Sequence, residues 1–209
     1  MIFEIDLFDN EQIEYINSKL SNELYVNGNI SNSSSIKNNL IHKTDGQYSN
    51  LNKYCQFSMR EKIYSVYLLK KMSQVYFLKY TKGMHYGYHI DEYPIAGVNA
   101  HYSMTCFLNS PSEYDGGELV LKVGSREIQY KLGPGKAVIY PTGIWHKVNE
   151  VKFGERNVFV CWMETIVKNS FMRNHLIEYG NYINSLKDDS IVEQLEQFRI
   201  NLMREYGDL

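Results

Sequence analysis

Apolar positions along the chain change period three times, and those changes lay out its elements. Residues 2–7 alternate well enough for a short strand. In the EQIEYINSKL run that follows, Ile13, Ile16 and Leu20 fall on one helical face. Asp9, with Gln12 three residues later, forms a capping box at the start of that helix. From Asn27 to Asn39 the sequence NGNISNSSSIKNN has little to bury and reads as a long loop, a length often used for lids and binding loops. A second amphipathic helix is predicted from about Ser49 to Lys62.

Beyond residue 63 the pattern shortens. YSVYLL, SQVYFLKY, HYSMTCFL, GELVLKV, REIQYKL, KAVIY, HKVNEV and NVFVCWM are short runs rich in β-branched and aromatic residues, most of them separated by Gly, Pro, Asn or Asp. Some eight short strands at this spacing predict an antiparallel sandwich or barrel rather than βαβ units. From about Ser170 the three- and four-residue helical spacing returns in FMRNHLIEYGNYINSL and IVEQLEQFRINLMREY. With no internal repeat and no Pro/Gly-rich linker, residues 1–209 are expected to form one mainly β domain with flanking helices. Its parts are an N-terminal helical support and loop (1–63), a β core (64–168) and C-terminal helices (169–209).

Composition adds exclusions. The hydrophobic share of 44% and the charged share of 22% in 209 residues suit one globular core. A net charge of −2 with no long block of like charge disfavours a nucleic-acid or membrane-surface partner. No apolar run approaches the roughly 18 residues of a membrane span, and MIFEIDLFDN lacks the basic and apolar regions of a signal peptide. Cys55, Cys106 and Cys161 are odd in number and widely spaced, and two lie in apolar runs where buried thiols are expected. A cytoplasmic protein is the resulting expectation. The 18 tyrosines carry no functional weight, since an AT-rich coding genome gives the same bias.

The chemistry begins at YTKGMHYGYHIDEY. His89 and Asp91 are two residues apart, so on an extended strand both side chains point to one face. A neutral imidazole and a carboxylate would then converge, and a third ligand from another strand would complete a two-His, one-carboxylate set with open coordination positions. A lone HxD is a weak signal, and the third ligand decides it. Of the six histidines, His42 lies in the polar N-terminal region and His175 in a helix, whereas His85 and His101 are candidates by proximity. His146 stands out because it opens a strand and is followed ten residues later by Arg156, in HKVNEVKFGER. Two short strands joined by a turn near residues 152–154 would face both side chains to the same interior. The planar guanidinium of Arg156 suits a carboxylate, so the pair fits a keto diacid chelated at one end and salt-bridged at the other.

At this point the sequence resembles the 2-oxoglutarate/Fe(II) oxygenases, and within them the PKHD-type hydroxylases related to prolyl 4-hydroxylases. The resemblance runs from about Tyr80 to Glu178. It rests on Gly83-Met84, Tyr86-Gly87, His89-x-Asp91, Ser103 through Leu108, and Tyr114-Asp115-Gly116-Gly117-Glu118-Leu119. Further matches are Gly135, Tyr140-Pro141, His146-x-Val148, Gly154-x-Arg156 and Trp162, with a weaker echo at Lys37-Asn38-Asn39. The resemblance implies a double-stranded β-helix, a jelly-roll variant, with iron at one mouth of the barrel. It implies His89, Asp91 and His146 as ligands of Fe(II), Arg156 as the partner of the far 2-oxoglutarate carboxylate, and Tyr80 as a second donor or a wall of that pocket. O2 is the other co-substrate, with ascorbate as reductant.

The chain departs from the pattern in three places. Related prolyl hydroxylases place a tyrosine near Phe107, which has no hydroxyl. The segment Asn99-Ala100-His101-Tyr102-Ser103 replaces a frequent Arg-x-Asp-Leu-Ser, and Trp145 stands where a small or apolar residue is usual. His101, Trp145 and Tyr86 are therefore the candidate substrate-pocket residues. Asp115-Gly116-Gly117 reads as a turn that also brings backbone close to a neighbour. The implied activity is hydroxylation of an unactivated C–H, with succinate and CO2 as co-products, on a prolyl residue of a peptide or protein or on a small amino-acid-like compound. A cupin-like module that binds metal or keto acid without turnover is the alternative, and the C-terminal helices are a candidate homodimer contact.

Overall fold

The six residues Tyr102–Phe107 are all buried, although YSMTCF is neither uniformly apolar nor alternating. A strand buried on both faces needs cover on both, and the computed structural model supplies it with helices on one side and a second sheet on the other. The structure describes residues 1–28, 36–43, 46–63 and 68–207, with backbone alone for 46–49. The N-terminal part contains β1 (Phe3–Asp6), α1 (Asn10–Ser18), β2 (Tyr25–Asn27), β3 (Lys37–Asn38), β4 (Leu40–His42) and α2 (Gly46–Ile63). Next come β5 (Leu69–Met72), β6 (Tyr76–Tyr80), β7 (His85–His89), β8 (Tyr102–Phe107), β9 (Tyr114–Gly116), β10 (Leu119–Val123) and β11 (Arg126–Tyr130). The chain closes with β12 (Lys136–Pro141), β13 (His146–Val148), β14 (Val151–Gly154), β15 (Arg156–Thr165), α3 (Ser170–Asn184) and α4 (Asp189–Tyr206).

The larger sheet has the order β1-β12-β8-β15-β6-β4-β2, with β5 on the far end of β15, and the smaller has the order β11-β10-β13-β7-β3. Strands β9 and β14 pair separately, and every pairing among the described strands is antiparallel. Side chains on β15 alternate between two cores, as period two requires. Phe159, Cys161 and Met163 join Ile13 and Ile16 of α1, Met59 and Ile63 of α2, and Leu176 and Ile177 of α3. Val158 instead joins Leu78, Phe107, Leu119, Val138 and Val148 between the two sheets. All three cysteines are buried and unbonded to one another.

The capping box of α1 forms, with the Asp9 carboxylate accepting from the Gln12 N–H at 2.8 Å and the Gln12 side chain accepting from the Asp9 N–H at 3.1 Å. Helix α2 starts at Gly46, earlier than its amphipathic pattern suggests. The N-terminal stretch differs more. Besides the expected strand at residues 2–7, present as β1, it contributes β2, β3 and β4, and these strands extend both sheets, because β1 pairs β12, β3 pairs β7 and β4 pairs β6. Of the expected loop from Asn27 to Asn39, Lys37–Asn38 is thus strand, and residues 29–35 lie outside the described residues, as do 64–67 of YSVYLL.

Two local expectations need correction. The Asp115-Gly116 dipeptide belongs to β9, with Gly116 paired to Val151 of β14. A Cβ at Gly116 would sit 2.0 Å from the Glu150 carbonyl oxygen, so the close approach is real but the turn is a strand end. HKVNEV, taken as one strand of a hairpin leading to Arg156, is split. His146–Val148 pairs β10 and β7, whereas Val151–Gly154 pairs β9. Long-range pairing wins over the local hairpin, because each piece buries its apolar residues against a different partner.

Candidate metal centre

The smaller sheet builds the centre by register. His146 lies directly opposite His89 in the β13–β7 ladder, and the register shifts immediately afterwards, between His146 and Val148. Such irregularities re-aim side chains beside functional sites. The two imidazole rings lie 4.1 Å apart between centroids. Asp91 follows just past the end of β7, and its Oδ1 is 3.8 Å from Nε2 of each histidine. One ligand atom from each of the three residues lies within 4.8 Å of the others, a cluster that could hold a metal ion.

Both rings are oriented by the same device. Nδ1 of His89 meets the Gly87 carbonyl at 2.9 Å, and Nδ1 of His146 meets the Ile144 carbonyl at 2.9 Å. A carbonyl only accepts, so each Nδ1 carries the proton and each Nε2 offers its lone pair to the centre. Burial and the neighbouring His146 push the His89 pKa down to about 4, which keeps that ring neutral at physiological pH. Tyr86 stacks on His89 with centroids 3.6 Å apart and further fixes the ring.

Asp91 is held by its other oxygen. Oδ2 accepts from the Ser103 hydroxyl at 2.8 Å and from the Trp162 indole N–H at 2.9 Å. Both donors come from the larger sheet, across the interior from the histidines, and leave Oδ1 facing the imidazoles. Trp162 is therefore placed to orient this carboxylate. Its ring rests edge-on against Tyr76, with centroids 5.4 Å apart.

A cavity of about 330 Å³ opens between the sheets over this cluster, and Arg156, Tyr80 and Asn39 line it as well. Arg156 opens β15 opposite Tyr80 of β6, so it enters from the larger sheet and not from a hairpin shared with His146. It is only 1% exposed, and neither Nε nor Nη2 has a hydrogen-bond partner among the described residues. The guanidinium lies 5.0 Å from the Tyr80 ring centroid and 5.5 Å from that of Phe107. Burial lowers its pKa, yet a guanidinium stays protonated in proteins. A buried cation with unpaired donors aimed into a cavity is a receptor for an anion, since leaving them unmet is costly. Asn39 donates to the Tyr80 hydroxyl at 2.9 Å, which leaves the phenolic proton to be given onward. Burial pushes the Tyr80 and Tyr140 pKa values up, so both phenols remain protonated donors.

Of the expected substrate-pocket residues, Tyr86 lines the cavity, while His101 and Trp145 do not. Nδ1 of His101 accepts from the Thr165 N–H at 3.0 Å and ties down the end of β15. Trp145, next to His146 in the chain, is 50% exposed and is not part of the cavity lining. Phe107 offers the guanidinium a ring face and no donor. Asn39, Ser103 and Tyr140 were not singled out from sequence. The Lys37-Asn38-Asn39 echo and the Ser103 and Tyr140-Pro141 motifs were the signals that contained them.

The profile of the 2OG-Fe(II) oxygenase superfamily matches residues 75–164, a span that includes His89, Asp91, His146 and Arg156. This defines an oxygenase that the family pairs with Fe(II), 2-oxoglutarate and O2. A PKHD-type hydroxylase of Prochlorococcus marinus strain MIT 9301 is 33% identical over 186 residues, covering 85% of this chain and 83% of the relative. One from Shewanella frigidimarina is 32% identical over 191 residues, 84% of each chain. The chain belongs to the PKHD-type hydroxylases. Its double-stranded β-helix is shared with a prolyl hydroxylase of Trichoplax adhaerens, solved with a hypoxia inducible factor oxygen degradation domain peptide fragment. That match has a TM-score of 0.60 at 14% identity and covers 78% of this chain and 82% of the other.

Proposed function

We propose that His89, Asp91 and His146 hold Fe(II), that Arg156 and Tyr80 bind the far carboxylate of 2-oxoglutarate, and that the enzyme hydroxylates an unactivated C–H of a prolyl residue in a peptide or protein. The observation that carries this reading is the buried Arg156, with two unpaired nitrogens, in the same cavity as the His-Asp-His cluster. Two neutral imidazoles and one carboxylate fit a divalent ion while leaving coordination positions for co-substrate and O2. Bound Fe(II) would supply oxygen activation coupled to conversion of 2-oxoglutarate into succinate and CO2.

The chain's own residues do the rest. The Gly87 and Ile144 carbonyls set the histidine tautomers, and Ser103 and Trp162 aim Asp91. Arg156 and the phenol of Tyr80 fix the co-substrate's orientation, and Leu78, Val148, Val158 and Val160 exclude water around its chain. The prolyl assignment is supported by the structural likeness to a prolyl hydroxylase solved with a peptide fragment, and a small amino-acid-like substrate fits the same cavity. Ascorbate is proposed as the reductant that keeps the metal ferrous. A reducing cytoplasmic setting suits three buried, reduced thiols. A homodimer through α3 and α4 would cover Phe171, Tyr182 and Phe198, all exposed; a monomeric mass at micromolar concentration removes it.

Anaerobic titration with Fe(II) and then 2-oxoglutarate tests the site through the visible charge-transfer band of the chelate. The band is expected in the wild type, absent in His146→Ala and weakened in Arg156→Ala. Stoichiometric metal binding with no band would instead favour the cupin-like binding module.

A further inference from the structure

Between Asp91 and β8 the chain makes a short hairpin that walls the mouth of the cavity. Ile95 and Val98 exchange both backbone hydrogen bonds, at 3.1 and 3.0 Å, around Ala96 and Gly97. Both central residues have positive φ, +49° and +75°, as a two-residue type I′ turn requires. Ala96 carries a Cβ that disfavours this conformation, so its surroundings must hold it there. The Lys71 ammonium donates to the Gly97 carbonyl at 2.8 Å, Val98 is buried, and the Asn99 N–H donates to the Glu164 carboxylate at 3.1 Å. On the other side, Ser103 and Trp162 fix Asp91. Glu92 is thus bracketed between two anchored segments.

Two carboxylates line the cavity among the described residues, and they differ in what they touch. Asp91 is engaged, with Oδ2 on Ser103 and Trp162 and Oδ1 facing the two histidines. Glu92 is exposed at the mouth and makes no hydrogen bond and no ion pair among the described residues. Lys37 and Arg156, the long cations of the lining, are buried. The rest of the lining from the Glu92 segment is apolar, namely Ile90, Pro94, Ile95 and Ala96, and the larger sheet adds Tyr76 and Trp162. A cleft with low-dielectric walls focuses the field of a fixed charge at its rim. An apolar wall that ends in a free carboxylate complements a side chain with an aliphatic stem and a cationic head.

Building on the prolyl-peptide reading proposed above, we infer that Glu92 is a specificity-determining residue for that reaction. It takes the cationic head of a lysine or arginine next to the residue to be hydroxylated, while Ile90 and Pro94 carry the aliphatic stem. The enzyme then selects basic peptide segments and rejects acidic ones, because the one unengaged charge at the mouth is negative.

Calorimetric titration of the Mn(II)·2-oxoglutarate complex tests this without turnover. The probes are the N-acetylated tripeptide amides Lys-Pro-Gly and Gly-Pro-Lys, each compared with the same peptide carrying Nε-acetyl-lysine, which keeps the stem and removes the charge. In the wild type, the lysine peptide should bind about two- to fivefold tighter than its acetylated form in at least one of the two registers, the scale of a solvent-exposed ion pair. That preference should vanish in Glu92→Gln, reverse in Glu92→Lys, and shrink as salt rises from about 0.05 to about 0.5 M. Each comparison sets two peptides against one protein, so any disturbance of the neighbouring Asp91 by the substitution cancels. Equal binding of charged and acetylated peptides in both registers, or a preference that survives in Glu92→Gln, overturns the assignment. Failure of every peptide to bind the wild type overturns the prolyl-peptide reading, and this inference with it.

Discussion

Replacing Trp162 with phenylalanine removes one N–H from the centre and keeps an aromatic ring against Tyr76. The lost bond is the 2.9 Å contact from Nε1 to Oδ2 of Asp91, a carboxylate whose side chain is only 11% exposed. Hydrogen bonds to a charged group contribute about 1.5–3 kcal/mol, and each 1.4 kcal/mol is about tenfold in an equilibrium constant. Metal affinity should therefore fall roughly 10- to 100-fold, the range found when a partner that orients a metal ligand is removed. The Ser103 hydroxyl, at 2.8 Å from the same oxygen, is left as the only donor to it among the described residues. Because both donors restrain one carboxylate rotation, the Ser103→Ala and Trp162→Phe losses should combine non-additively in the double variant. Competition against a chromophoric chelator measures the affinity for Mn(II) or Fe(II). A folded Trp162→Phe protein that binds metal within twofold of the wild type would refute the claim that the indole aims Asp91.

Three further outcomes follow from the same geometry. Arg156→Met removes a buried cation with two unpaired nitrogens, so the ligand-free protein should be as stable as wild type or more so, by up to about 4 kcal/mol. The same variant should lose the rise in melting temperature that 2-oxoglutarate gives the metal-loaded protein; retention of that rise would exclude Arg156 as the anchor. At Gly117, φ is +68° and a Cβ would meet Cδ of Arg156 and Cγ2 of Val151 at 3.0 Å. Gly117→Ala should cost about 1–2 kcal/mol, lowering Tm by about 2–8 °C, and weaken 2-oxoglutarate binding by displacing the guanidinium. Asp9→Ala breaks the α1 capping box and should cost about 1 kcal/mol with no change in metal affinity, as thermal melts and chelator competition would read.

Local chemistry alone made much of this protein legible. The α1 cap was readable because a capping box is complete within four residues, and the strand runs because period two and β-branched content act locally. HxD was readable as a pair for the same reason, since two residues of extended chain suffice to turn both side chains one way. The spaced motifs point to Arg156 and His146 together, although they meet through pairings in two different sheets and not through a shared hairpin.

What the tertiary structure decided is pairing across distance. Nothing near residue 146 says that β13 will lie against β7 in the register that puts His146 opposite His89. Nothing near 156 says that β15 will run beside β6 in the other sheet. The donors to Asp91 are 12 and 71 residues away, and Asn39 reaches Tyr80 across 41. Lys37 and Asn39 lie in a stretch whose polarity reads as loop, because a two-residue strand has no period of its own and gains its partners only from the folded sheet. Helix and turn signals are written in neighbouring residues and can be read there. The cavity is made by two sheets closing on each other, and its contents depend on long-range registers that the burial of the whole core selects.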